Sequence, residues 1–271
     1  MIKKNILVSV LINNYNNKFY IEKCIKSCLL QSYKNLEIVI YDDNSNDGSQ
    51  KIIEKIKDKR VIKIFNKKKL FRTGALNQLE SIYKSVNKSK GEIIFLLDGD
   101  DFFLKNKINY ILSLFVKNKN LNFIQDTPYY FFPDQNIKLK RKLKNKFFTM
   151  HTWPYFFPTS TMTFKRKFLI KILREISFSK KKYSKMFFDA RAFIYMYFFE
   201  NNFLRLDTHL TMYNQNIKGD TIRNYSRKNL YWWKRRYEYH MFVSSLFKKK
   251  SKFYFKFLDY YVTVLINALF K

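Results

Sequence analysis

The chain has 271 residues, 46% hydrophobic and 19% aromatic, enough to bury a core and too apolar for a disordered or collagen-like chain. Five Gly and four Pro argue against repeat or Pro-rich architectures, and two cysteines are too few for a disulfide framework or a zinc cluster. With 53 Lys+Arg against 21 Asp+Glu the net charge is +32, pointing to a polyanionic partner (nucleic acid or an anionic membrane) or to the codon bias of a low-GC genome.

Ile6 to Ile12 reads as a strand, and Ile21, Cys24, Ile25, Cys28 and Leu29 then recur on one helical face. Both cysteines are therefore expected in the core, in a reducing compartment. Leu36 to Tyr41 is a second strand, followed by the polar cluster Asp42-Asp43-Asn44-Ser45-Asn46-Asp47-Gly48, which opens a helix from about Ser49 to Lys59. Val61 to Phe65 is a third strand, Gly74 to Val86 a helix, and Ile93 to Leu97 a fourth strand ending at Asp98-Gly99-Asp100-Asp101. Four near-continuous apolar strands separated by helices predict an α/β fold with a parallel, doubly covered sheet. Ligands bind such sheets beyond the carboxyl ends of the strands, where both Asp clusters sit.

Further on, the pattern predicts a helix near Lys107 to Val116, strands near Leu121 to Ile124 and Thr161 to Phe164, and a basic loop from Lys138 to Lys146. A helix over Phe188 to Phe199 and a strand near Phe203 to Leu206 follow. Beyond Tyr225 the chain is helical, basic and aromatic. The expected organisation is a domain over 1–225, with halves 1–101 and 102–225, and a helical extension over 226–271. Net charge is uneven, +7 over 1–101, +15 over 102–217 and +10 over 218–271.

Met1-Ile2-Lys3-Lys4 leads straight into the first strand, unlike a secretory signal. Phe257 to Phe270, interrupted by Asp259 and Asn267, is too short to span a bilayer. A cytoplasmic protein is expected, free or peripheral at the cytoplasmic membrane face. Trp232-Trp233-Lys234-Arg235-Arg236-Tyr237 and Lys248 to Lys256 interleave cations with aromatics. That pattern suits an interfacial membrane helix, a single-stranded nucleic-acid stack, or a solvated helix packed on the main domain. No nucleic-acid-binding motif accompanies it, so no specific nucleic acid is expected.

Asp98, Asp100 and Asp101 crowd three carboxylates after a buried strand. Their repulsion calls for a cation, and a hard divalent ion, Mg²⁺ or Mn²⁺, completed by substrate phosphates fits. The plainer alternative is a solvated turn with a capping Asp. For Asp42-Asp43-Asn44-Ser45 the plainer alternative is an N-cap. The sequence lacks Gly-x-Gly-x-x-Gly, a Walker-type Gly-rich loop and Gly-x-Ser-x-Gly, and His151, His209 and His240 are too scattered for a metal site.

Five segments in order resemble the signatures of the family-2-type inverting nucleotide-sugar glycosyltransferases of GT-A fold. They are Val8-Ser9-Val10-Leu11-Ile12-Asn13-Asn14-Tyr15-Asn16, Gln31-Ser32-Tyr33, Asp42 to Ser49, Gly74-Ala75-Leu76-Asn77, and Gly91 to Asp101. The resemblance implies a GT-A fold, Rossmann-like with a mostly parallel central sheet flanked by helices. It also implies transfer of a sugar from a nucleoside diphosphate, typically UDP, to a hydroxyl of a glycan or lipid-linked acceptor with Mn²⁺ or Mg²⁺.

By position, the resemblance puts Asn13 and Tyr15 beside the nucleotide base, Asp43 on the base itself, and Arg72 and Asn77 towards the donor. Asp98-Gly99-Asp100 matches the Asp-x-Asp motif, with Asp98 on the ribose or the ion, Asp100 on the ion, and Asp101 sharing the ion. Asp189, in Phe187-Phe188-Asp189-Ala190-Arg191, falls where the general base opens a helix. Burial beside the two phenylalanines would make it a better base, and its plainer alternative is an N-cap. The Gln-x-x-Arg-Trp motif of processive relatives is absent, and Asn214-Gln215-Asn216 stands where non-processive members carry Arg and His. Addition of a single sugar is expected. Trp153 to Ser160 reads either as an acceptor-side aromatic wall or as an aromatic core strand. The rival readings are a nucleotidyltransferase and a non-enzymatic basic binding protein.

Overall fold

The computed structural model describes residues 5–140, 142, 155–177, 182–215, 230–254, 256 and 258–269. Its strands are β1 (Val8–Asn14), β2 (Leu36–Asp42), β3 (Val61–Phe65), β4 (Ile93–Asp98), β5 (Phe102–Phe103), β6 (Phe123–Phe132), β7 (Ile137–Lys140), β8 (Met162–Lys165) and β9 (Phe203–Asn214). Its helices are α1 (Ile21–Leu29), α2 (Ser49–Lys55), α3 (Gly74–Lys88), α4 (Lys107–Lys117), α5 (Arg166–Ile176), α6 (Phe188–Phe199), α7 (Leu230–Lys249) and α8 (Leu258–Leu269).

These strands form one sheet in the order β3-β2-β1-β4-β8-β6-β9-β5, with β7 paired to β6. Strands β1 to β4 are mutually parallel, and β6 and β9 run in their direction. Strands β5, β7 and β8 run against it. The side-chain alternation of each strand divides the core between the two faces of the sheet. Val10, Ile12, Ile38, Ile40, Phe95 and Leu97 pack with α1 and α4 on one side. Leu11, Val39, Ile94 and Leu96 pack with α3, α5, α6 and α7 on the other. Cys24 and Cys28 lie buried and free in the first of these layers.

Helix α5 was not among the expected elements, although its apolar residues Phe168, Leu169, Ile172, Leu173 and Ile176 recur on one face and are all buried. The expected short strands near 121–124 and 203–206 are in fact the long β6 and β9. These pair with each other through a register shift between Gln125 and Pro128, so partner pairing rather than local pattern sets their length. The expected basic loop begins as β7, and residues 143–146 of it lie outside the described set.

The expected boundary at 225 also falls outside the described residues. Helix α7 beyond it packs on the sheet: Tyr239, Phe242, Val243 and Leu246 join the core that holds Leu11 and Ile94. Tyr183 donates to the Met241 carbonyl at 3.1 Å and stacks edge-on against Phe242.

Candidate active site

Parallel strands bring their carboxyl ends to one edge, and the register sets neighbours there: Asn13 beside Asp98, and Asn14 beside Asp42. Asp42 is fully buried and organises the rim. It accepts hydrogen bonds from Asn14 Nδ2 (2.7 Å), Ser45 N (2.9 Å), Ser45 Oγ (2.6 Å) and Gln50 Nε2 (2.7 Å). Asp43 is held differently, with its own N–H on the Asn14 carbonyl and one carboxylate oxygen accepting from Asn66 Nδ2 at 2.9 Å. Neither caps α2, whose N-cap is Gly48 at φ +98°, while Asp47 accepts from Ser49 N. The N-cap alternative for the first cluster is therefore set aside.

Asn16 and Asn44 take left-handed φ of 53° and 60°, a conformation Asn tolerates better than bulkier residues. Asn16 Oδ1 accepts from Asn46 N at 3.0 Å, lacing the two loops together. Tyr15 stands exposed on this rim, with Lys69 Nζ 3.1 Å above its ring centroid. Arg72 is exposed in the loop after β3, on the same edge. Asn77 does not reach out. Its amide accepts from Phe71 N (3.1 Å) and donates to the Phe71 carbonyl (3.0 Å), clamping the loop that carries Arg72.

The turn after β4 is built around Gly99, whose N–H donates to the Asn13 carbonyl at 2.8 Å. A Cβ there would lie 2.5 Å from Asn14 Oδ1 and 3.0 Å from Asn17 Nδ2. Gly99→Ala is therefore expected to cost about 1–3 kcal/mol by overpacking. A thermal melt indistinguishable from wild type would contradict this close approach.

Burial pushes the Asp98 carboxyl up, opposed by hydrogen bonds from Gln78 and Asn13. Burial, then the Asp98 charge, does the same to Asp100. Both are partly exposed. Asp101 is fully buried and turned away: one oxygen accepts from Ser160 Oγ, the other from Asn214 N at 2.8 Å. Ser160 Oγ in turn accepts from Asp98 N at 2.9 Å. Asp101, expected to share an ion, here has both carboxylate oxygens engaged in tying β9 to the turn after β4. Among the described residues no three His, Cys, Asp or Glu side chains form a metal cage. Two hard carboxylates at a strand end instead suit an ion that draws its remaining ligands from phosphates and water.

Gln78, which the sequence pattern did not single out, joins this turn to the second half of the chain. Its Nε2 donates to Asp98 Oδ1 at 3.1 Å, and its Oε1 accepts from Phe188 N at 3.2 Å at the start of α6. Its place one residue after Asn77, on the buried side of α3, was the available signal. Asp189 follows Phe188, with Oδ1 accepting from Ala190 N at 2.7 Å. Phe187 is the N-cap residue, so Asp189 sits inside the first turn. Burial raises its carboxyl to about 6, against the opposing charge of Arg235. That arginine comes from α7, nearly buried, with Nε donating to Tyr239 Oη at 2.8 Å and its guanidinium 5.6 Å from the Phe187 ring centroid.

The aromatic stretch before β8 is mostly core. Phe157 is buried and Phe156 stacks on Phe193 at 5.8 Å, which leaves Tyr155 at the surface. Trp153, Pro154 and Asn216 lie outside the described residues.

A family model described as glycosyl transferase family 2 matches residues 9–185, spanning β1 to the loop before α6. The chain belongs to glycosyltransferase family 2. That membership sets aside the nucleotidyltransferase and the non-enzymatic binding protein. One relative, the Escherichia coli UDP-Glc:alpha-D-GlcNAc-diphosphoundecaprenol beta-1,3-glucosyltransferase WfaP, is 43% identical over 103 residues, covering 38% of this chain and 39% of WfaP. An uncharacterized glycosyltransferase of Haemophilus influenzae is 38% identical over 116 residues, covering 41% of this chain and 43% of that one. The match thus spans about two fifths of each relative.

Among solved structures, S. aureus TarS 1-349 in complex with UDP-GlcNAc aligns with a TM-score of 0.60 at 14% identity, covering 87% of this chain and 66% of TarS. The Pyrobaculum calidifontis mannosyltransferase PcManGT in complex with GDP-Man and Mn2+ gives 0.54 at 13%, covering 91% and 65%. The fold of this family-2 chain is the expected GT-A fold.

Proposed function

We propose that the protein transfers one sugar from a UDP-sugar to a hydroxyl of a lipid-linked glycan acceptor, with inversion at the anomeric carbon. The observation that carries this reading is the bridge through Gln78, which brings Asp98, at the rim of the parallel sheet, next to the start of the helix bearing Asp189. The UDP-Glc donor and diphosphoundecaprenol-linked acceptor of WfaP, and the UDP-GlcNAc bound to TarS, support the donor and acceptor classes.

In this reading Asp43 accepts the imide N–H of uracil, and Tyr15 and Asn13 line the base. Arg72 faces the diphosphate. Asp100 and Asp98 would hold a divalent ion, Mn²⁺ or Mg²⁺, which supplies Lewis-acid neutralisation of the leaving diphosphate when bound. Asp189 removes the acceptor hydroxyl proton as the oxygen bonds to the anomeric carbon. The bond from that carbon to the diphosphate oxygen breaks on the opposite face, and the proton ends on Asp189. Opposite-face attack gives inversion, and the absent processive motif favours a single addition.

The test is transfer from UDP-sugars to a diphospholipid-linked acceptor, with the product read by NMR. A product of inverted anomeric configuration is expected. A retained configuration, or no stabilisation by any nucleoside diphosphate with Mn²⁺, would overturn the reading. A further consequence concerns Arg235, whose positive charge lowers the Asp189 pKa. Arg235→Gln should raise that pKa, so the acid limb of the pH–rate profile moves to higher pH. An unmoved limb would contradict the pairing.

A further inference from the structure

Helix α8 is packed inside out. Its polar residues Asp259, Thr263 and Asn267, spaced four apart, face α7. Asp259 accepts from Arg236 at 2.7 Å and lies 3.5 Å from His240 Nε2. Thr263 is fully buried, and Asn267 Nδ2 donates to the Trp233 carbonyl at 3.1 Å. The opposite side is apolar and open to solvent: Leu258 (58% exposed), Tyr261, Val262, Leu265 (61%) and Leu269 (71%). At 100° per residue these five fall within an arc of about 100°. Just upstream, Phe253 is 88% exposed.

A soluble helix normally buries the apolar stripe and hydrates the polar one. Here the tie from Asp259 to Arg236 and the bond from Asn267 to Trp233 hold the helix in the reverse orientation, so the stripe is available to something other than this fold.

We propose that this stripe, with Phe253 beside it in the chain, is a docking surface for an anionic phospholipid membrane. Charge selects that occupant. Lys248, in the last turn of α7, and Lys252 and Lys256, in the segment leading into α8, are exposed. Both acids of α7 and α8 are neutralised, Glu238 by Lys185 at 3.1 Å and Asp259 by Arg236. A leucine face preceded in the chain by exposed lysines, with Lys256 Nζ 4.6 Å from the Tyr260 ring centroid of α8, matches an acyl boundary under anionic headgroups.

A second copy of the chain fits less well. A 12-residue helix is about 18 Å long. Its one face offers on the order of 200 Å², against about 800 Å² per partner in a standard interface. Two chains of net charge +32 would also repel. Among the described residues no helix is long and apolar enough to cross a membrane, so α8 lies on the surface rather than spanning it.

The other cationic stretch, Trp232 to Tyr237, is mostly committed to the fold, with Lys234 and Tyr237 left exposed. Arg235 is buried towards Asp189 and Arg236 is turned inward onto Asp259, so this segment is the seam between the docking helix and the active site.

The inference goes beyond the sugar-transfer reading and is tested without donor or acceptor. The full chain is floated with phosphatidylcholine vesicles and with vesicles containing phosphatidylglycerol, at low and high salt. Binding to the anionic vesicles alone, weakened by salt, is expected. Two variants are compared: Leu258→Gln, Leu265→Gln and Leu269→Gln together, and Lys248→Gln, Lys252→Gln and Lys256→Gln together. Each should lower partitioning by on the order of tenfold or more, with an unchanged melting temperature because all six residues are exposed.

Wild-type protein that stays unbound, or a leucine variant that binds as well as wild type, overturns the proposal. So does a leucine variant that dissociates a dimer in light scattering while vesicle binding is unaltered. Vesicle binding without nucleotide-sugar binding would keep this inference and remove the sugar-transfer reading. Transfer without vesicle binding would do the opposite.

Discussion

Asp189→Asn is expected to slow sugar transfer by about 10²–10⁴-fold, the contribution of a positioned general base. The substitution keeps an oxygen able to accept from Ala190 N, so the first turn of α6 and its bond to Gln78 stay in place. Donor binding, read as thermal stabilisation by UDP-sugar, should therefore be unchanged while the single-turnover rate collapses.

The pH profile carries a second signature. Burial lifts the Asp189 carboxyl from its ordinary 3.8 to about 6. A base acts only when deprotonated, so activity should be full above about 6 and fall as pH drops through it, close to tenfold per pH unit. The Asn variant has no such limb. A variant rate within about tenfold of wild type would take the base role away from Asp189.

Asp100→Ala is expected to lower transfer by about 10²–10³-fold, comparable with losing one electrostatic stabiliser of developing charge. Asp100 is the one carboxylate of its turn that carries no hydrogen bond from another described residue. Asp98 is held by Gln78, and Asp101 by Ser160 and Asn214. It is also crowded by Asp98, so the pair stands to gain from a cation.

With UDP present, adding Mn²⁺ should raise the melting temperature of wild type and leave Asp100→Ala unchanged. A chelator should reduce wild-type transfer to the level of the variant. If the variant keeps a Mn²⁺-dependent shift, the ion is held elsewhere. Asp101→Asn separates the two roles: an amide keeps one acceptor oxygen where Ser160 and Asn214 use two, so it should destabilise the fold yet retain the Mn²⁺-dependent shift.

Much of the first half of the fold was legible in the chain. Runs such as Ile93 to Leu97 have no polar position to spare for a solvent face, and each ends on an Asp or Asn, so strand ends and acidic tips could be read together. The roles within each tip could not. Asp42 and Asp43 are adjacent and chemically identical, and only the surroundings of Asn14, Ser45 and Gln50 on one side and Asn66 on the other tell the acid with four hydrogen bonds from the acid with one. The same holds for Asp100 against Asp101, which differ in what Ser160 and Asn214 reach. Helix α5 carries a readable stripe as well, Phe168, Leu169, Ile172, Leu173 and Ile176 set against the basic Lys167, Lys171 and Arg174.

The residues alone determined a parallel α/β core, the edge where a ligand binds, and the acids available there, because periodicity and strand termination are local properties of consecutive side chains. Tertiary packing decided that α6 starts beside Asp98, that Arg235 arrives from α7 to face Asp189, and that α8 presents leucines to solvent. Those contacts join residues tens of positions apart, and their free energy comes from burial and ion pairing that no single stretch of chain contains.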